Sequence, residues 1–444
     1  MNTEELHRWD LAHVVHPWSY AGPSLMIAKA KGTRYWDVDG KEYLDALGGI
    51  QNCSVGHSRP ELIEAAKAQM ERLEYVPMHW NFTNEPAVRL ARTIAELAPA
   101  DLNQTYFVSS GSEATESAVK LMRRYHYLRG DTKRATILCL KQGYHGATIL
   151  ATAATGFENL QQGFGPLPGG IKFLTPPHVY RSELFGGEDP VEFCIRQLKQ
   201  VIADEGGDTI AAIMAEPVLT VGGVIVPPAE YWPAVSEICR QHGILLVADE
   251  VVTGFGRTGA WFAGPELGML PDAIVFGKGV SSGHFPLSGV IMSDTIAEVI
   301  KSAPDGLMHG FTYCGHPVGC AVASRNIEVL QENKLLENSK EVGGYLLGTL
   351  KEKLRDSPIV GDIRGYGMLL AVELVSDKAT REPLQFKRQL LADRIRNEHA
   401  VVVRSIGANI IIAPPLILGR SEADTIAHAL EEVISTTNTD GTSL

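Results

Sequence analysis

The sequence is poor in cysteine. Only six stand among its 444 residues (Cys53, Cys139, Cys194, Cys239, Cys314 and Cys320), and no two form a C-x-x-C pair. A chain this long needs no cross-links to hold a core, so scattered thiols exclude a disulfide scaffold and fit a reducing, cytoplasmic setting. Positive charge is also short: 40 Lys and Arg against 52 Asp and Glu leave a net charge of −12. That balance argues against nucleic acid and anionic membranes as partners. No apolar run approaches the ~18 residues that a membrane helix needs. The opening residues, MNTEELHRWD, carry neither a basic nor an apolar region, so no secretory leader is expected. Internal repeats and low-complexity tracts are missing too, and the polar end TTNTDGTSL is expected to fray.

What is present is a chain that is 45% hydrophobic, enough for a large core and more than one domain. Its middle alternates short apolar runs with amphipathic ones. QTYFVSS, RATILCL, IAAIMAEP, ILLVADEVV, DAIVFGKG and LSGVIMS read as strands. SEATESAVKLMRRYHYLRG, PVEFCIRQLKQVIADEGG and AEYWPAVSEICRQHG read as helices. Such alternation predicts an α/β fold whose mostly parallel sheet is covered on both faces. From about Pro317 the pattern changes to long helices and paired strands, which read as a smaller α+β domain. We therefore expect an N-terminal arm over 1–60 that packs with the small domain, a large domain over 61–320, and a C-terminal small domain over 321–444.

Two motifs invite readings that their surroundings weaken. DEVVTGFGRTG contains Gly254-x-Gly256-x-x-Gly259, the spacing of a dinucleotide-binding turn, which would suit an NAD-dependent oxidoreductase. The strand before it is present, but the helix that should follow is broken by Gly264, Pro265, Gly268 and Pro271. The glycines more simply predict a loop that passes close to a neighbour. HGFTYCGHPVGC gathers His309, Cys314, His316 and Cys320, but their spacing fits no common zinc pattern and no metal is expected.

The residues before those glycines are more informative. Asp249 ends a strongly apolar strand, where a carboxylate is costly unless paired. Arg257 is the plain partner. The alternative is a cationic ligand atom at the carboxyl end of the sheet, where open α/β folds bind ligands. Lys278 ends the next strand between Gly277 and Gly279. Alone it reads as a lysine in a turn, but a lysine shielded from water loses part of its ammonium stability and becomes nucleophilic. A lysine that forms a Schiff base and an acid on a pyridinium nitrogen are what pyridoxal phosphate requires. SSGSEATESAVKL adds a candidate phosphate cradle, with Ser109, Ser110, Gly111 and Ser112 leading into a helix; Ser112 as a plain helix cap is the alternative. Gly143 to Gly146, GYHG, follows a strand and offers Tyr144 to a ring, or to the core.

With these motifs in order (SSGSEA, GYHG, AEPV…GGVIVPP, LLVADEVVTGFGRTG, PDAIVFGKG and HGFTYCGHP), the sequence resembles the class III, or ω-, aminotransferases, which depend on pyridoxal phosphate and have fold type I. The likeness covers nearly the whole chain. It implies Lys278 as the Schiff-base lysine and Asp249 as the partner of the ring nitrogen. It further implies Val251 and Tyr144 on the two faces of the ring, with His145 and Glu216 beside the cofactor, and Ser110, Gly111 and Ser112 at its phosphate. Thr312 resembles the threonine that reaches the phosphate from the other subunit, which implies a homodimer with shared sites, or a tetramer built from it. Arg404 resembles the arginine that binds the acceptor's carboxylate and swings aside for uncharged amines; a structural arginine between strands is the alternative.

Some positions depart from relatives. Those acting on ornithine or 4-aminobutyrate carry a glutamate where this chain has Val221. That difference, with VYRSELFG and GDIRGYGMLLAVELVSDKATREP, places the chain nearer the amine:pyruvate and taurine:pyruvate branch. Many of that branch carry a tryptophan where Gln51 stands, so a more polar pocket is expected. Trp18, Tyr20, His79 and Trp80 are further pocket candidates, each equally explained by packing. The resemblance implies ping-pong transfer of an amino group from an amine or ω-amino acid to a 2-oxo acid, with pyruvate as the expected acceptor. A decarboxylase or aminomutase of the same fold is the rival within the family's chemistry. Related decarboxylases carry Trp-His-Gly in place of Tyr-His-Gly and a glutamine where this chain has Val252. A non-catalytic scaffold is the remaining rival, and it leaves Lys278 and Asp249 without a purpose.

Overall fold

A computed structural model describes residues 3–18, 24–385, 390–438 and 441. Its centre is a seven-stranded sheet. In spatial order the strands are Leu102–Val108, Ser288–Ser293, Ala273–Phe276, Leu245–Asp249, Ile210–Ala215, Thr136–Leu140 and Ile171–Leu174. Six run in one direction, and Ser288–Ser293 runs antiparallel to both its neighbours. Every residue of Ile210–Ala215, Leu245–Asp249, Ala273–Phe276 and Ser288–Ser293 is buried. That burial explains why these strands read as unbroken apolar runs rather than alternating ones. The edge strand Ile171–Leu174 was not anticipated, because IKFL is short and only half-buried.

Helices cover both faces. Gly111–Leu128 lies across the sheet. On the far side Pro317–Glu332 packs on Pro60–Arg72 and Glu85–Leu97. Two smaller four-stranded sheets complete the fold. One joins Ile27–Lys31, Arg34–Asp37 and Glu42–Asp45 to the strand Val401–Val402, which pairs in parallel with Glu42–Asp45. The other is antiparallel, in the order Val360–Gly365, Leu370–Leu374, Asn409–Ile412 and Arg404–Ile406. We propose the division into an arm (1–60), a large domain (61–320) and a small domain (321–444), with helix Pro317–Glu332 running across the second boundary.

The glycine motif makes no dinucleotide turn. Phe255 N–H donates to Trp261 O and Gly256 N–H to Ala260 O, which folds the segment back on itself. Among the described residues, the only helix close after it is the four-residue turn Ala263–Glu266.

Candidate active site

The carboxyl ends of the parallel strands bring the chemistry together. Asp249 is the last residue of its strand and pairs in register with Val275, three residues before Lys278. Arg257, the plain alternative as its partner, is elsewhere, donating to the carbonyls of Met368 and Pro414. Asp249 instead accepts from His145 Nδ1 at 2.6 Å and from Val251 N–H at 3.1 Å. Both side chains are essentially buried, at 4% exposure for Asp249 and none for His145. Burial pulls the imidazole down, but the hydrogen bond and charge of Asp249, with that of Glu216, hold its pKa above the ordinary value. The hydroxyl of Thr155 accepts from His145 N–H, and that of Thr115 donates to its carbonyl. These contacts fix His145, the residue of GYHG expected beside the cofactor, against Asp249.

Glu216, at the end of the neighbouring strand, accepts from Tyr144 N–H at 2.9 Å through one oxygen. Through the other it accepts from the backbone and hydroxyl of Thr220. Burial, and after it the charge of Asp249, raises its pKa. Thr220 was not legible beforehand, because a hydroxyl four residues after a carboxylate is commonplace. The adjacent Glu250 faces the opposite way and caps the turn at Ala263 and Gly264, at 2.6 and 2.8 Å. Burial pushes it up to about 7. The two consecutive carboxylates thus divide, Asp249 toward the site and Glu250 toward the scaffold.

Lys278 follows Gly277 in a left-handed conformation, φ 40°. Burial lowers its ammonium to about 8, against the opposing pull of Asp249 and Glu216 and with help from the charges of Arg404 and Arg257. Val251 is wedged between backbones: a Cβ on Gly111 would lie 3.2 Å from its methyl carbon, and one on Gly277 3.4 Å.

The cap of helix Gly111–Leu128 is Ser110 rather than Ser112. The Ser110 hydroxyl accepts from Glu113 N–H, and the Glu113 carboxylate accepts from Ser109 N–H. Ser112 is used differently: its hydroxyl accepts from Ala147 N–H at 3.0 Å and ties the helix start to the GYHG turn. That approach needs a glycine at 146, where φ is 131° and a Cβ would lie 2.5 Å from Ser112 Oγ. The first-turn N–H groups have no partner within a helix, and together with the dipole they favour an anion.

Of the pocket candidates, Trp18 and Arg404 join this cluster. The Trp18 ring meets Tyr144 edge-on with centroids 6.2 Å apart, and the Arg404 guanidinium lies over Trp18 at 5.3 Å. A cavity of ≈ 330 Å³ opens beside them, lined by Trp18, Tyr144, Gly146, Ile149, Leu160 and Phe164 among others. Gln51 is buried, with φ 60°, in a turn whose amides at Leu47 and Gly49 are held by Asp45. Trp80 is 83% exposed, its ring near that of His79, and Thr312 is exposed on a loop where Tyr75 donates to its carbonyl. No described contact joins Trp80 or Thr312 to the Asp249 cluster. Tyr20 lies outside the described residues. Nor do His309, Cys314, His316 and Cys320 converge: among the described residues no His, Cys, Asp and Glu group has metal-binding geometry.

Comparison with known proteins gives this site its setting. The family profile Aminotransferase class-III matches residues 17–434. The chain is 38% identical over 405 residues to the putrescine–pyruvate aminotransferase of Pseudomonas aeruginosa, covering 90% of this chain and 88% of that protein. It is similar to an (S)-enantioselective ω-transaminase from Thermomicrobium roseum, with a TM-score of 0.94 and 42% identity over 98% of this chain and 99% of that one. An amine transaminase from an uncultivated Pseudomonas species, solved with pyridoxal phosphate (PLP) bound, matches with a TM-score of 0.91 and 37% identity, covering 95% and 98%. The chain belongs to the class III aminotransferases, enzymes that depend on pyridoxal phosphate.

Proposed function

We propose, with that membership as the premise, that this transaminase moves the amino group of a primary amine or ω-amino acid to a small 2-oxo acid, pyruvate first among them. The observation that carries the reading is the pairing of Lys278, its amine brought to about 8, with the buried Asp249 at the carboxyl end of the neighbouring parallel strand. Relatives whose names specify putrescine and pyruvate, or amines in general, support the substrate class.

The residues present fit pyridoxal phosphate. The start of helix Gly111–Leu128, tied to the GYHG turn through Ser112, is a suitable cradle for its phosphate. Asp249, braced by His145, is placed to accept from a protonated ring nitrogen. Val251 and Tyr144 would flank the ring, and Glu216 holds Tyr144 in place through its backbone. When bound, the cofactor supplies an aldehyde that condenses with amines and a ring that withdraws electrons from the substrate carbon.

The chain's own groups do the rest. At neutral pH Lys278 spends part of its time as a free amine, so it can take a proton from the substrate carbon and return it as an acid. Asp249 keeps the proton on the ring nitrogen, and the braced imidazole keeps the carboxylate from turning away. Trp18 and Tyr144 form part of the cavity's wall. Arg404 offers a planar fork to the carboxylate of the oxo acid. Exposure of the Thr312 loop supports a homodimer in which this threonine serves the partner's site.

The test is spectroscopic. The visible absorbance of the purified holoenzyme should bleach when an amine is added without oxo acid, and return when pyruvate follows. A protein that stays colourless when supplied with pyridoxal phosphate would overturn the reading. Carbon dioxide release from an amino acid would favour the decarboxylase rival.

A further inference from the structure

Two segments of the sequence, VYRSELFG and GDIRGYGMLLAVELV, meet in a buried charge network away from the reacting groups. Glu373, its side chain 3% exposed, accepts from Arg181 Nε at 2.7 Å and from Arg364 Nη1. Arg364 spends its remaining donors on three further groups. Nη1 also reaches Asp362 at 2.9 Å, Nη2 donates to Asn409 Oδ1 at 2.9 Å, and Nε donates to the carbonyl of Gly223 at 2.7 Å. Gly223 has φ 103°, and a Cβ there would stand 2.7 Å from Asn409 Oδ1 and 2.8 Å from Arg364 Nη2.

Both ends of this clamp lead to the site. Gly223 N–H donates to Thr220 O, and Thr220 holds Glu216. The same turn carries Val221, and a Cβ on Gly222 would lie 2.8 Å from Gln142 O, two residues before Tyr144. On the other side, register places Arg364, Ala371, Ile411 and Arg404 in one row across the antiparallel sheet. In a pleated sheet such a row shares one face, so the two arginines stand on that face three strand spacings, about 14 Å, apart. Between them Ala371 and Ile411 belong to a buried cluster with Val218 and Val224 of the turn.

We propose that Arg364 is a positioning residue for the acceptor half of the reaction: by binding the Gly223 carbonyl and Asn409 together, it sets the Arg404 hairpin against the turn that holds Glu216. The inference rests on the reading of Arg404 as the acceptor's carboxylate partner. Lysine at 364 would keep the charge beside Glu373 but lose the fork that reaches Gly223 and Asn409 at once. The network's burial makes a fixed arrangement, rather than added stability, its main effect.

The experiment uses the Arg364→Lys holoenzyme and follows each half-reaction separately. Bleaching by amine alone should change by less than about threefold. KM for pyruvate should rise about tenfold with kcat little altered, while KM for propanal, an acceptor without a carboxylate, should stay as in the parent enzyme. Equal rises for both acceptors, or no rise for either, would overturn the inference. Should Arg364→Lys fail to fold, Asn409→Ala cuts only the hairpin link and should raise the pyruvate KM in the same selective way; an unselective effect there overturns it too. Arg404→Leu separates the two readings. An unchanged pyruvate KM in that variant removes the premise and the inference together. A raised one, beside an unaltered Arg364→Lys, removes the inference alone.

Discussion

Replacing Asp249 with asparagine tests the centre of the site with little change of shape. Asparagine can still accept from Val251 N–H, which Asp249 does at 3.1 Å. It cannot accept from both neighbours as a carboxylate does, and its amide would instead donate to His145 Nδ1, moving the imidazole proton to Nε2. That nitrogen is buried and has no hydrogen-bond partner among the described residues. The lost charge-assisted bond, at 2.6 Å, is worth about 1.5–3 kcal/mol. Much of that is offset, because the buried negative charge that had to be desolvated disappears as well. The melting temperature should therefore move by only a few degrees, with the cofactor still retained by the helix-start cradle. Catalysis should suffer far more. Losing a preorganised electrostatic group at a reacting centre costs about 100- to 1,000-fold in rate, or about 3–4 kcal/mol. Single-turnover bleaching by amine, with a parallel cofactor titration and a thermal melt, reads all three quantities. A rate within threefold of the parent's would refute the assignment of Asp249, and so would loss of cofactor as the main effect. If His145 acts through Asp249, the double variant with His145→Ala should be no slower than Asp249→Asn alone.

Two further outcomes follow from the geometry. Burial brings Lys278 down to about 8 in the fold against about 10.4 unfolded, so at pH 7 its neutral fraction is on the order of 100 times that of an ordinary lysine. Borohydride trapping of pyridoxal phosphate on the apoenzyme should mark Lys278 first, at a rate that climbs through pH 8. The lysine's pKa is depressed on folding, so between those two values the unfolded state binds more protons and apoenzyme stability gains as pH rises. A labelling rate still climbing past pH 10 contradicts the assignment. Gly146→Ala places a Cβ 2.5 Å from Ser112 Oγ at φ 131°, for about 2–6 kcal/mol of strain and overlap. Cofactor dissociation, followed by dialysis and absorbance, should quicken at least tenfold; retention equal to the parent's would mean that the Ser112–Ala147 tie does not shape the cradle.

The candidate site residues stand out in the sequence because their motifs occur together, in one order along the chain. A carboxylate closing an apolar strand, a lysine between two glycines and a run of small residues opening a helix each have an ordinary structural explanation, but together they meet the needs of one cofactor. The parallel sheet was legible for another reason: strands buried on both faces have no polar alternation to confuse them. IKFL, half-buried at the edge, lacked that clarity.

Partnerships across long stretches of chain were not legible. Asp249 pairs with His145, 104 residues earlier, rather than with nearby Arg257. The helix is capped by Ser110 while Ser112 ties down Ala147. Arg364 joins Gly223, 141 residues away, to Asn409. Hydrogen-bond partners are chosen by proximity in space, which the strand order of a sheet sets, and the order here (102–108, 288–293, 273–276, 245–249, 210–215, 136–140, 171–174) is far from the order of the sequence. Local composition therefore names the candidate reacting groups, while packing assigns their partners, because a side chain's chemistry is its own but its neighbours belong to the fold.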